Sequence, residues 1–281
     1  MEAPRTRRRA DGSPSARTLL LTVLGEYVRY AGGARVWSRA VVGALGACGI
    51  GEAATRRAVS RLVQEGWLRT EPVGRRTVLV LEPRLVALLT AWTHRLERAV
   101  RATPWHGEWQ QLLLRGPAQG HALVAQQLAF EGFGPLERGV WVAADAGGVD
   151  ALKGLLREQG LTGHATWLTC RAERDAELVA GAWDLAAVRA VHEGFSGRFG
   201  GARAASDEAA FVLRTRLVHA WRGTFERDPR LPAELLPGDW PGLDATRLFV
   251  RTWRALRAPA DRHWDLLSRD PQVRQQVRRQ M

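Results

Sequence analysis

The hydrophobic pattern of the first fifty residues predicts two helices joined by a short strand. Apolar side chains recur at helical spacing over 14–30, which predicts a helix with one buried stripe, capped at Ser13-Pro14. Val36-Trp37 predicts a short strand that pairs with a later hairpin. Ser38 is then expected to cap a second helix that runs to about Ala47.

A third helix is predicted between Gly51 and Glu65, and its two faces differ in chemistry. At about 100° per residue, small and apolar side chains such as Ala58 and Leu62 share one face. The opposite arc carries arginines and uncharged polar residues without an acid: Arg56, Arg57, Ser60, Arg61 and Gln64. A guanidinium can bond guanine edges in a fork or hold a phosphate, whereas a solvated face usually intersperses acids. The pattern therefore predicts a DNA-binding helix.

A β-hairpin is predicted directly after this helix. Trp67–Glu71 and Thr77–Leu81 are rich in residues that strands favour, and Pro72–Arg76 supplies the proline and glycine of a connecting loop. Arg75 and Arg76 are then expected at an exposed tip, where they would contact the DNA backbone. Together these elements predict a winged helix-turn-helix, with Trp67 in its core.

The distribution of charge agrees with a nucleic-acid partner at this end of the chain. The net charge is +12, and residues 1–101 carry 18 arginines against 8 acidic residues, while the rest is close to neutral. A positive field concentrated on one segment steers the protein to DNA and binds phosphates.

The rest of the chain divides into a mixed segment and a helical one. A helix is expected from Glu82-Pro83 to about 101. Further strands are predicted at 109–114, 139–143 and 165–169, alternating with helices at 118–131 and 147–159. This alternation predicts a small ferredoxin-like α/β unit. From about residue 177 the chain is predicted to be helical, with helices at 182–199, 207–226, 242–257 and 260–279.

Composition indicates a cytoplasmic protein without a membrane segment or a metal. Cys48 and Cys170 fit neither a metal-ligand spacing nor a disulfide framework. No apolar run reaches transmembrane length, and the amino terminus lacks the apolar core of a signal peptide. Residues 1–14 are predicted to form a disordered basic arm.

Seven segments, in this order, resemble the PaaX family of transcriptional repressors of phenylacetic acid degradation operons. They are SARTLLLTVLGEYVR (15–29), QEGWL (64–68), VGRRT (73–77), PWHGEW (104–109), GFGPLERGVWV (132–142), AWDL (182–185) and LPAELLPGDWPG (231–242). The resemblance implies an α+β multidomain protein. Its expected parts are a winged helix-turn-helix domain over 15–100, a ferredoxin-like domain over 101–176, and a helical domain over 177–281 for dimerisation or effector binding.

The resemblance also implies how such a protein works. It implies a homodimer on a palindromic double-stranded DNA operator, released by an aromatic acyl-CoA effector, typically phenylacetyl-CoA. No cofactor is expected, and the effector-binding residues stay unassigned. A pocket between the central and helical domains is the hypothesis for their place.

Two alternatives remain open at this point. One is a regulator or activator of the same fold that responds to a different ligand. The other is a metal-dependent nuclease, because the central segment is similar to small CRISPR-associated endonucleases, which need an acidic residue where the first strand ends. That strand ends Leu113-Leu114-Arg115-Gly116, and no nucleophile elbow or phosphate loop occurs. We therefore predict no enzymatic activity, no catalytic residues and no metal site.

Overall fold

The computed structural model describes residues 14–100, 105–115, 121–224 and 227–269. Within them the protein is α+β, with eleven α-helices and two small antiparallel sheets. Two compact units interleave along the chain. The described residues of the amino-terminal unit are 14–97, 199–220 and 248–269, and those of the central unit are 98–100, 105–115, 121–198, 221–224 and 227–247. Consecutive domains were expected from the sequence instead, and their boundaries stay a prediction.

The amino-terminal unit begins with the predicted sequence of helices and strands. Its elements are α1 (Ala16–Val23), a π-helical segment (Leu24–Arg29), β1 (Arg35–Trp37), α2 (Ser38–Ala47), α3 (Glu52–Gln64), β2 (Leu68–Val73), β3 (Arg76–Leu81) and α4 (Pro83–Val100). The three strands form an antiparallel sheet in the order β1-β3-β2. The prediction that Val36-Trp37 pairs with the hairpin is confirmed, since Val36 lies opposite Leu79.

The two predicted helix caps are wrong by a few residues. Ser15, rather than Ser13, caps α1, because its Oγ accepts a hydrogen bond from the Thr18 amide at 3.2 Å. Ser13 lies outside the described residues. Ser38 is the first residue of α2 rather than its cap, and the preceding Trp37 makes no side-chain cap. Strand β1 leads directly into this helix, so the cap position falls on a strand residue.

The core of the amino-terminal unit is completed by helices from the end of the chain. These helices are α9 (Asp207–Thr224) and α11 (Arg257–Ser268), and α10 (Gly242–Ala255) lies between them in the chain. Phe211 of α9 and Trp264 of α11 belong to the same buried cluster as Leu20 and Leu45. The ring of Trp264 stacks on that of Tyr27, with centroids 5.4 Å apart. Helix α11 also runs so close to α2 that a Cβ at Gly43 would lie 2.9 Å from the Leu267 side chain.

A buried ion pair lies in the same core. Arg214 of α9 is 1% exposed, and its Nε donates to Oε1 of Glu26 at 2.9 Å. The indole Nε1 of Trp253 donates to the same oxygen at 2.6 Å. Glu26 lies in the π-helical segment, where the Tyr30 amide bonds the Gly25 carbonyl five residues back. Burial raises the pKa of the neighbouring Tyr27 well above its ordinary value.

The central unit is built around a second antiparallel sheet. Its elements are β4 (Trp109–Leu114), α5 (His121–Phe130), β5 (Gly134–Glu137), β6 (Val140–Ala143), α6 (Val149–Glu158), β7 (Ala165–Cys170), α7 (Asp175–Ala182) and α8 (Leu185–Phe199). The strand order is β5-β6-β4-β7. Strand β5 was missed by the sequence analysis, which predicted strands of this unit at 109–114, 139–143 and 165–169. Its four residues are too short for an alternating pattern, and only pairing with β6 defines it.

The helices after residue 174 differ from the prediction mainly at their ends. Helix α7 precedes the first helix that we expected, and the break at Trp183-Asp184 separates it from α8. Helix α11 ends at Ser268, whereas a helix was predicted to 279. Residues 270–281 lie outside the described part of the chain.

Candidate nucleic-acid interface

Helix α3 buries one face and exposes the other. Thr55, Ala58 and Leu62 are buried, and they pack the helix onto the hydrophobic core. The five polar residues singled out by the angular pattern are all exposed: Arg56, Arg57, Ser60, Arg61 and Gln64. The helical period thus places the arginine-rich face toward solvent.

Two glycine turns hold α3 in place. Gly49 follows α2 with a φ of +85°, and the Ile50 amide donates to the Leu45 carbonyl at 2.9 Å. Gly66 follows α3 with a φ of +68°, and the Trp67 amide donates to the Leu62 carbonyl at 2.8 Å. Such helix ends need a left-handed residue, which glycine adopts without a Cβ penalty. They direct the chain from α2 into α3 and from α3 into the hairpin.

The arginines of the exposed face are not equivalent. Nε of Arg56 donates to Oε1 of Glu52 at 2.8 Å, one helical turn earlier. Glu52 lies just outside the acid-free arc predicted from the sequence, beside its Arg56 edge, and it pairs with that arginine. Arg57 and Arg61 form no hydrogen bond or ion pair with any described residue. They are therefore the available cations of α3.

The hairpin turn is shorter than the sequence predicted. Strands β2 and β3 stay paired up to Val73 and Arg76, so the turn is Gly74-Arg75 instead of the five residues from Pro72. Pro72 is tolerated within β2 because that strand lies at the edge of the sheet. Gly74 occupies the first turn position and has a φ of +59°. Two-residue hairpin turns with glycine at this position require such a positive φ.

The shorter turn separates the two hairpin arginines. Arg75 is exposed at the tip and has no hydrogen bond or ion pair to a described residue. Arg76 is half-buried in β3, and its guanidinium carbon lies 5.7 Å from the ring centre of Trp37. Trp67 is 4% exposed, which places it in the core as predicted. Arg75 is thus the exposed cation of the tip.

Other arginines around the hairpin are neutralised by acidic side chains. Glu71 bonds both Arg69 and Arg35, and hydrogen bonds from these two guanidinium groups hold the pKa of its carboxyl below the ordinary value. Arg69 also bonds Glu82 at 3.1 Å. The hydrogen bond from Arg17 lowers the pKa of Glu65 in the same way. Total charge therefore overstates the number of arginines that are free to meet a phosphate.

The described part of the chain shows neither a metal-ligand cluster nor a helix suited to a membrane. No group of three or more histidine, cysteine, aspartate or glutamate side chains is placed there to hold a metal ion. Among the described helices, none has the length and apolar character needed to cross a bilayer. Arg115 directly follows β4, at the position where the similar endonucleases need an acidic residue.

Comparisons with known proteins give one consistent family. The protein-family model described as PaaX-like protein matches residues 15–84. The family model of the PaaX-like protein C-terminal domain matches residues 183–266. The transcriptional repressor PaaX of Escherichia coli (strain K12) is 29% identical over 261 residues, covering 88% of this chain and 81% of the repressor. A solved structure of the uncharacterized protein Rv0674 from Mycobacterium tuberculosis is similar with a TM-score of 0.59. It shares 27% identity over 90% of this chain and 98% of that one.

Proposed function

The chain belongs to the PaaX-like family of transcriptional repressors, and from that premise we propose that it binds double-stranded DNA through α3 and the β2–β3 hairpin. The observation that carries this proposal is the exposed face of α3. Arg57 and Arg61 extend from it without an acidic partner among the described residues. A repressor needs such cations where its recognition helix meets DNA.

The order of elements supports a winged helix-turn-helix in this unit. A helix, a short strand, two helices joined by a glycine turn and a β-hairpin follow one another from α1 to β3. In this arrangement α3 would be the recognition helix in the major groove, and the hairpin would be the wing. The strand order of the central unit likewise supports a ferredoxin-like domain there.

The polar residues of α3 are expected to contribute unequally to DNA recognition. We expect Arg57 and Arg61 to bond guanine edges or phosphates, with Ser60 and Gln64 making shorter contacts between them. Arg56 is already bound to Glu52, so its contribution to DNA affinity should be smaller. In a homodimer on a palindromic operator, the two α3 helices would enter successive major grooves about 34 Å apart.

The arginines of α3 provide the first test. Replacing Arg57 and Arg61 together with alanine should weaken binding to the DNA upstream of the protein's own gene by about tenfold or more, since each good base contact contributes about 1–3 kcal/mol. Gel shifts with the full-length protein measure this. The control is Arg174→Ala, which removes an exposed arginine of the central unit that pairs with Glu177.

The pair at the start of α3 sharpens that test. Glu52→Ala should strengthen DNA binding, because it removes an acid from this face and releases Arg56. Arg56→Ala should weaken binding less than Arg57→Ala does. If the double replacement of Arg57 and Arg61 binds like the unaltered protein, α3 is not the recognition helix.

The wing is tested by salt dependence. Arg75→Ala should lower affinity for all DNA sequences alike and reduce the slope of log affinity against log salt by about 1, because one phosphate contact is lost. The measurement is a salt series by fluorescence anisotropy on operator and on scrambled DNA. A loss confined to one DNA sequence would instead mean that Arg75 reads a base.

The physiological role is proposed from the family resemblance. We propose a cytoplasmic homodimer that controls a phenylacetate-type catabolic operon and is released by an aromatic acyl-CoA, typically phenylacetyl-CoA. Such an effector acts only if it binds the DNA-bound and the free state with different affinities. Operator release on adding phenylacetyl-CoA, followed by gel shift, tests this part separately from DNA binding itself.

A further inference from the structure

A large recess lies within the central unit. Its volume is about 980 Å³, within the range of small-molecule sites. Helix α7 forms one side and the 3₁₀ turn Ala233–Leu235 forms another. Apolar and aromatic side chains supply most of the wall: Trp105, Pro135, Val179, Trp183, Leu185, Leu235, Leu236 and Pro237.

The aromatic part of the wall is only partly covered by protein. Trp105 and Trp183 are half-buried and both contact the fully buried Trp109, with ring centres 5.5 Å and 6.1 Å from it. The Trp105 contact is edge-on, and the Trp183 contact is stacked. Trp109 is fixed in turn by its Nε1, which donates to Asp175 at 2.9 Å. The recess therefore presents two indole surfaces supported by an ordered third ring.

The ionisable residues that line the recess are all acidic, although the chain carries a net charge of +12. They are Asp175, Asp184 and Glu234. Asp175 holds Trp109, and Asp184 accepts a hydrogen bond from the Ala187 amide at the start of α8. Glu234 is exposed and forms no hydrogen bond or ion pair with any described residue. One carboxylate at the rim is thus uncommitted.

We propose that this recess binds a small aromatic compound that carries an ammonium group. The aromatic ring would lie against Trp105 and Trp183, where flat apolar surface is exposed. The ammonium would bond Glu234 and also gain from the indole faces through cation–π attraction. An anionic ligand is disfavoured, since none of the lining residues is a cation that could balance it. The nucleotide phosphates of a CoA thioester would meet three carboxylates here.

Several segments that carry the family resemblance meet at this recess. Trp105, Pro135, Trp183 and Glu234 each come from a different one. In a ligand-responsive repressor this site would sense a compound other than the acyl-CoA. That regulatory role rests on the proposed function, whereas the binding itself does not.

Thermal shift of the full-length protein without DNA tests the site. The probes are 2-phenylethylamine, its neutral analogue 2-phenylethanol, phenylacetate and phenylacetyl-CoA, at equal concentration and ionic strength. Among the three small compounds, the amine should raise Tm the most in a concentration-dependent way, because a ligand that binds the folded state stabilises it by mass action. The alcohol should raise it less, and phenylacetate least.

Variants locate the binding within the recess. Glu234→Gln should lower the affinity for the amine about two- to fivefold, as expected for an exposed ion pair. The affinity for the alcohol should not change. Glu173→Gln, an exposed acid that does not line the recess, should change neither. Equal shifts for amine and alcohol, an unaltered amine affinity in Glu234→Gln, or a shift with the CoA thioester alone would each overturn the proposal. Because no DNA is present, failure of α3 to bind an operator would not affect these results.

Discussion

Replacing Arg214 with methionine is expected to destabilise the protein by about 3–5 kcal/mol, the range for removing one partner of a buried ion pair. Glu26 is 7% exposed, and its Oε1 accepts hydrogen bonds from both Arg214 and the Trp253 indole. Without the guanidinium, that carboxylate stays buried in the core without its cation. Asp261, which Arg214 also bonds at 3.3 Å, is partly exposed and can be solvated instead.

The pair can be separated from a general packing defect by a mutant cycle. Glu26→Gln in the Arg214→Met background should recover part of the lost stability, because the uncompensated charge is then removed as well. Urea unfolding of the four proteins measures this. The control is Arg262→Met, which breaks the exposed pair with Asp207. This replacement should change the urea midpoint of unfolding little. A double variant no more stable than Arg214→Met would show that lost packing, rather than buried charge, causes the effect.

Trp264→Ala is expected to cost about 3–5 kcal/mol, as for other buried aromatic residues. Trp264 is 9% exposed and stacks on Tyr27 and, at 6.5 Å between ring centres, on Phe211. Its removal leaves a cavity between the π-helical segment, which carries Tyr27, and α9, which carries Phe211. The matched control is Leu266→Ala on the same helix, which is 56% exposed and should change stability by less than about 0.5 kcal/mol.

This second prediction also concerns DNA binding. If α9 and α11 complete the core that supports α3, Trp264→Ala should weaken operator binding at temperatures where the variant begins to unfold. At lower temperature, binding should be recovered, since Trp264 is not among the exposed residues that we propose to contact DNA. Gel shifts across the unfolding transition, beside a melting curve by circular dichroism, check this. A variant that melts with the unaltered protein would mean that α11 is not part of that core.

The site itself was largely predictable from local pattern. The 3.6-residue period determines which side of α3 is apolar, so the exposed positions of Arg57 and Arg61 follow from the chain alone. The helical period does not specify which acid pairs with each arginine. The partners of Arg35, Arg56 and Arg69 depend on where side chains meet, and these pairs leave fewer free cations than composition indicates.

By itself, the sequence of this protein determined the helices and strands from α1 to β3, three of the four central strands and the family resemblance. Each of these depends on residues close together in the chain, where periodicity and turn chemistry act. The tertiary structure decided which distant segments share a core. It placed Phe211 and Trp264 beside Tyr27, buried Arg214 against Glu26, and gathered Trp105, Trp183 and Glu234 around one recess. A hydrophobic pattern specifies that a face must be covered, but the covering partner is chosen by shape and charge in three dimensions.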